Sequence, residues 1–243
     1  MGTGLTVEAL FYCLITCGKG TDGTMDAMTY GKQLNFWRGK FGQDYTDRCT
    51  RSPGDIDKLY VSHYGTSRSR FNQRFIGNLP RSARILEVGA NSGGQLKLLQ
   101  EMGFTNLTGI EPQRYAIKVS NTSNEGIALI EGSAFDLPFD DASFDLVFTS
   151  GVLIHIPPEQ LHRAMDEMVR VTAGTVWGFE YYAEQMTEVE YRGNRNALWK
   201  ADYGEMFRLR YPQLEMIRKE LIPYLKGDNI DCMYLLQKIT EEG

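Results

Sequence analysis

The chain has 243 residues, a formal net charge of -5 and 42% hydrophobic residues. That length suits one well-buried α/β domain with modest additions, and the acidic balance argues against a general nucleic-acid binder, which carries a basic footprint. The four scattered cysteines (Cys13, Cys17, Cys49, Cys232) show neither paired metal-ligand spacing nor a disulfide framework; with no apolar run near the ~18 residues that span a bilayer, the expectation is a cytoplasmic protein without a membrane partner, a monomer or homodimer.

Residues 1–27 differ from the rest. Glu8 interrupts the mildly apolar stretch from Leu5 to Cys17, and no Lys or Arg precedes it, which argues against a signal peptide. Leu14-Ile15-Thr16-Cys17 loosely matches a lipoprotein cleavage site, and Met1-Gly2 with Thr6 a myristoylation signal. Both patterns are short. The plainer reading is an extension or arm, with Met25 or Met28 as a natural start.

Residues 28–80 form an N-terminal helical region. Phe36, Trp37, Phe41 and Tyr45 recur at helical spacing; they serve either as core against the main domain or as a lid across a cleft. Ser52-Pro53-Gly54-Asp55 marks a turn or helix start. A further helix is predicted over 67–77, with Phe71, Phe75 and Ile76 inward.

From 81 to 243 strands and helices alternate. Strand 84–88 leads to a helix over 94–102. Strand 107–111 leads to a helix over 113–121. Strands at 127–131, 145–150 and 175–181 follow, with a helix over 158–171 carrying Leu161, Met165, Met168 and Val169. This alternation predicts a mainly parallel sheet covered on both faces. Residues 183–213 are polar and aromatic, and the expectation is an insertion that covers a substrate and contributes little to the core. Two strands around Gly227-Asp228-Asn229 predict a terminal antiparallel hairpin.

The turn after the first strand carries the chemistry. In Glu87-Val88-Gly89-Ala90-Asn91-Ser92-Gly93, glycine permits unusual backbone angles and close approach of a ligand, and Asn91 enters the left-handed region readily. A dinucleotide site would need a glycine where Asn91 stands. Acid-x-Gly-x-x-x-Gly, followed by Glu111 and by the Leu137-Pro138-Phe139 to Phe144-Asp145 segment, instead resembles the class I S-adenosylmethionine-dependent methyltransferases. The resemblance implies a Rossmann-like sheet and S-adenosylmethionine as cofactor. Gly89, Ala90 and Asn91, with Glu87 and Gly93, would approach its amino-acid end. Glu111 would accept from the ribose hydroxyls beside Pro112, and Ser133, Ala134 and Phe135 would flank adenine, with Ser150 also in the cofactor site.

Gly151-Val152-Leu153-Ile154-His155-Ile156-Pro157-Pro158, Met165-Asp166-Glu167-Met168, Glu180-Tyr181-Tyr182, Tyr191-Arg192-Gly193 and Trp199-Lys200-Ala201-Asp202-Tyr203 resemble the methylase family associated with pseudaminic acid biosynthesis. This similarity covers roughly 34–225. Cys49 departs from it, standing where Asn is expected. Ser133 departs from the wider superfamily, which often has an acid there.

The candidate catalytic residues are His155, a general base of suitable pKa, and Glu180 and Tyr181 at the carboxyl end of the fifth strand, where open α/β sheets place ligands. Tyr45 and Arg48 are candidate closing residues. Arg192 and Lys200 are candidate cations for an acidic acceptor. His63 and His162 are read as surface or packing residues. The expected function is methyl transfer to a small-molecule acceptor such as a sugar or sugar-derived metabolite, with O-methylation favoured; an amine or carboxylate acceptor, or a non-catalytic cofactor-binding scaffold, are the alternatives.

Overall fold

Ile85, Leu86 and Val88 are each at most 1% exposed, so β1 (Arg84–Val88) is covered on both faces, as a central parallel strand must be. The computed structural model describes residues 31, 33–120 and 125–239; the reading of 1–27 as an arm lies outside them. On either side of β1 lie β2 (Asn106–Glu111) and β4 (Phe144–Ser150), both parallel to it. With β3 (Ile127–Glu131), β5 (Thr172–Tyr181), β8 (Leu214–Pro223) and β9 (Ile230–Lys238), they make a seven-stranded sheet ordered β3-β2-β1-β4-β5-β9-β8. β9 runs opposite to the other six strands, pairing antiparallel with β5 and β8, which is the expected terminal hairpin.

Helices pack on both faces. α4 (Gly94–Glu101), α5 (Arg114–Ser120) and α6 (Pro158–Val171) connect the parallel strands. Leu161, Met165, Met168 and Val169 of α6 are buried, as their spacing requires.

The N-terminal region supplies α1 (Lys40–Cys49), α2 (Pro53–Tyr64) and α3 (Arg68–Ile76), with helical residues 33–38 before α1. Ser52 caps α2: its hydroxyl accepts from the Asp55 N–H at 3.2 Å, and Pro53 opens the first turn. Phe71, Phe75 and Ile76 of α3 are buried in the core as expected. Arg68 and Asn72 of the same helix are buried as well, and their polarity gives no such signal in sequence.

The segment 183–213 is not the poor core element expected. It contains a turn closed by Tyr191 and Asn194, within which Arg192 and Gly193 take positive φ. The short strands β6 (Thr187–Glu188) and β7 (Trp199–Lys200) pair beside that turn. After it, Ala197, Leu198, Trp199, Ala201, Tyr203, Met206, Phe207 and Tyr211 are all buried. Asp202 caps α7 (Tyr203–Arg210) by accepting from the Glu205 N–H at 3.1 Å. The apolar residues are interleaved with charges at helical spacing, so composition alone conceals them. Phe207 is 0% exposed; Phe207→Ala should cost about 3–5 kcal/mol, measured by chemical denaturation, whereas a substrate-covering loop would lose almost nothing.

Candidate functional site

The carboxyl ends of β1, β2 and β4 open into one pocket. Its floor is the turn after β1. Gly89 (φ 75°) and Asn91 (φ 48°) both adopt the left-handed conformation, as does Gly93 (φ 76°) at the N-cap of α4. Gly89 has a second reason to be glycine: a Cβ there would lie 2.6 Å from Val152 Cγ2. Ala90 and Asn91 line the pocket, along with Ser92 and Gly94, whereas Gly93 does not.

Two acids face this turn. Glu111, at the end of β2, accepts from the Asn91 and Gln113 N–H groups, each at 2.8 Å. Each oxygen keeps a second lone pair for a ligand. Burial pushes the Glu111 carboxyl up to about 7, against the pull of those two bonds. Glu87 is 2% exposed. It accepts from the Leu96 N–H at the start of α4, but Oε2 has no hydrogen-bond partner. Burial pushes its pKa well above the carboxylate range; Glu111 adds to the shift and Arg68 opposes it. Pro112, Ser133, Ala134 and Phe135 line the pocket, and Ser150 comes from β4. Ser133 Oγ accepts from the Phe135 N–H at 3.3 Å, so the serine that replaces the expected acid secures its own turn.

Residues from the N-terminal helices line the pocket as well: Gln33, Leu34, Trp37, Tyr45, Thr46 and Cys49. Gln113 ties them down. Its Nε2 donates to the Trp37 carbonyl at 2.9 Å and the Gly39 carbonyl at 3.2 Å. Tyr115 donates to Asp47 at 2.7 Å, and Thr50 donates to Ser92 at 3.1 Å. Sequence reasoning picked out Trp37 and Tyr45 but missed Gln33, Thr46, Cys49, Ser92, Gln95 and Gln113. Amides and small hydroxyls occur everywhere on surfaces, and only the fold brings these to one place.

His155 lies in a 3-10 turn (Leu153–His155) after β4, buried and on the pocket wall. Its Nδ1 is 2.7 Å from the Ala197 carbonyl. A carbonyl only accepts, so Nδ1 carries the proton and Nε2 holds the lone pair. The ring packs against Trp37 (centroids 4.7 Å apart) and Tyr191 (5.1 Å). Burial lowers its pKa to about 4, so it is neutral at physiological pH.

Other candidates sit elsewhere. Glu180 is 1% exposed and turned under the 3-10 turn, accepting from the Val152 N–H at 3.2 Å and the Ile154 N–H at 3.4 Å. It does not line the pocket, and its hydrogen bonds support the loop that carries His155. Burial pushes the Glu180 carboxyl up to about 7. Tyr181 also lies outside the pocket wall, hydrogen-bonded with Tyr224. Arg48 and Arg192 are exposed, and Arg192 stands on the turn beyond Tyr191. Lys200 donates to Asn229 Oδ1 at 2.5 Å, with its ammonium over the Tyr181 ring. Among the described residues no Lys or Arg lines the pocket.

A ligand that fits must satisfy the free lone pairs of Glu111 and the orphan oxygen of Glu87, and must place a flat group near Phe135. A ribose diol, an ammonium and an adenine do so. This sheet order, with a left-handed turn after β1 and an acid ending β2, is the Rossmann-like fold of the class I methyltransferases. Residues 86–177 match the family described as "Methyltransferase domain". Residues 86–177 therefore carry a methyltransferase domain, and S-adenosylmethionine is the cofactor of that domain. The chain is 32% identical over 117 residues to the glycine/sarcosine/dimethylglycine N-methyltransferase of Actinopolyspora halophila, a match covering 44% of this chain and 20% of that protein. It is 30% identical over 97 residues to the O-methyltransferase rstn1 of Aspergillus nomiae, covering 37% and 42%. The chain thus spans less than half the length of either relative. In fold it is similar to the Burkholderia thailandensis 1,6-didemethyltoxoflavin-N1-methyltransferase, solved with its substrate and S-adenosylhomocysteine, with a TM-score of 0.63 at 14% identity over 88% of this chain and 90% of that one. Among the described residues no helix is long and apolar enough to cross a membrane.

The high carboxyl pKa of Glu111 has a direct consequence. Below about 7 the free site holds a proton, and ribose hydroxyls bind the carboxylate, so binding must release it. The affinity for S-adenosylhomocysteine should fall about tenfold from pH 8 to pH 6, and calorimetry in buffers of different ionisation heat should register the released proton. Glu111→Gln should bind weakly with that pH slope reduced.

Proposed function

We propose that the protein transfers the methyl group of S-adenosylmethionine to a hydroxyl of a small neutral acceptor of the sugar or sugar-derived kind. The observation that carries this reading is His155, which lines the same pocket as Glu87 and Glu111, packs against the rings of Trp37 and Tyr191, and has Nδ1 engaged so that Nε2 holds the lone pair. The cofactor supplies a methyl on a positively charged sulfur. Held by Glu87, Glu111 and the turn after β1, it would present that methyl to the acceptor oxygen, and Nε2 of His155 would take the hydroxyl proton. A base with a pKa near 4 cannot deprotonate a free alcohol beforehand. The proton must leave as the oxygen–carbon bond forms and the oxygen becomes acidic. Positioning then supplies most of the remaining advantage.

An acidic acceptor is disfavoured, because among the described residues the pocket wall carries two acids and no Lys or Arg. The N-terminal helices act as the lid, and the turn at 191–194 closes the acceptor side. An amine acceptor is the second reading. The aromatic rings around His155 favour it, and so does the flat heterocycle named for the Burkholderia relative.

His155→Ala should lower kcat by about 10²–10⁴-fold while leaving S-adenosylhomocysteine affinity little changed. Labelled-cofactor assays against sugar, amine and carboxylate acceptors provide the measurement. Full activity in the variant would eliminate the base, and no turnover with any acceptor would favour a non-catalytic scaffold.

A further inference from the structure

Arg68 of α3 is 0% exposed. Its guanidinium carbon lies 4.6 Å from the Phe179 ring centroid and 5.2 Å from that of Trp177. Burying a cation is costly unless its bonds are satisfied, and here they are only partly so. Nε donates to Asn72 Oδ1 at 2.8 Å; Nη1 donates to the Tyr60 hydroxyl at 3.1 Å and to Ser150 Oγ at 3.3 Å. Nη2 has no partner among the described residues. The charge is felt by two buried acids, Glu87 of β1 and Asp231 of β9.

Ser150 connects this interior charge to the pocket. A hydroxyl that accepts from Arg68 keeps its own proton to donate, and Ser150 lines the pocket. Glu87 lines the same pocket with Oε2 unpaired. One wall therefore offers a cation-polarised donor and, separately, a carboxyl oxygen without a partner. The amino-acid end of S-adenosylmethionine is a zwitterion that requires both.

We propose that Arg68 is a positioning residue for the cofactor's amino-acid carboxylate, acting through the Ser150 hydroxyl, while Glu87 takes the ammonium. The proposal rests on the cofactor assignment above. It explains why an arginine is retained in a core of aromatic rings, and it makes α3 part of the cofactor site although none of its residues touches the pocket.

The test is calorimetric titration of wild type, Arg68→Met, Arg68→Lys and Ser150→Ala with three probes. S-adenosylhomocysteine carries both charges, its decarboxylated form S-adenosyl-3-thiopropylamine only the ammonium, and 5′-methylthioadenosine neither. Arg68→Met should bind S-adenosylhomocysteine about tenfold or more weakly, the size of a lost charge-assisted hydrogen bond, with the other two probes little changed. Arg68→Lys should recover part of the loss, and Ser150→Ala should reproduce part of it. Equal weakening of all three probes, or no weakening of S-adenosylhomocysteine, overturns the proposal. If circular dichroism finds Arg68→Met unfolded, Ser150→Ala decides by the same pattern, since it leaves the arginine in place. Failure of wild type to bind S-adenosylhomocysteine overturns the cofactor assignment instead; wild-type binding without selective loss in the variants overturns only the role of Arg68.

Discussion

A carboxylate taken out of water must be met by hydrogen bonds or an opposite charge, and this sheet buries four along one edge. Glu87, Glu111, Glu180 and Asp231 stand at or near the ends of strands at the pocket edge of the sheet, each at most 8% exposed. What meets each acid decides what its loop does. Glu111 gathers two N–H groups and so fixes both the turn after β1 and the start of α5. Glu180 gathers N–H groups of the 3-10 turn and so fixes the loop that bears His155. Asp231 is held by the hydroxyls of Tyr64, at 2.5 Å, and Tyr224, at 3.4 Å, which join α2 to the terminal hairpin. Glu87 alone faces the pocket with an oxygen unmatched. Glu180 and Asp231 are held wholly within the protein, whereas Glu87 and Glu111 also line the pocket.

Most of the parallel sheet was legible because its residues obey local rules. Ile85, Leu86 and Val88 form a short apolar run, Gly89 and Asn91 tolerate positive φ, and Leu161, Met165 and Met168 mark one helical face. These are properties of neighbours in sequence. Glu180 shows where such reading ends. An acid closing a strand looks the same whether it faces a ligand or the next loop, and only the direction of its side chain separates the two. Arg68 and Phe207 fail for a related reason. Each lies in a segment whose average composition is polar, and burial is decided by contacts with strands far away in the chain.

The N-terminal helices and the segment after β5 meet above the sheet through aromatic rings. Trp37 touches His155, Phe41 lies 6.0 Å from Tyr191, and Tyr191 touches His155 in turn. Neither segment provides a wall alone. Gln113 extends the same arrangement to the cofactor side, since its backbone bonds Glu111 while its amide bonds the carbonyls of Trp37 and Gly39. Pocket walls on the cofactor side and on the His155 side thus share a single residue at the base of the lid.

Gly89 sets a limit on how this surface can vary. The space its missing methyl would fill is taken by the γ-carbons of Val152, so the turn beneath the cofactor and the loop leading to His155 interlock. A larger residue at 89 needs a smaller one at 152, and glycine at 89 leaves nothing to remove for a larger one at 152, so drift in the two loops is coupled. Reshaping the molecule for a different acceptor is best begun away from that seam. The turn at 191–194 touches His155 through one ring, is otherwise exposed to solvent, and can change length without disturbing the floor.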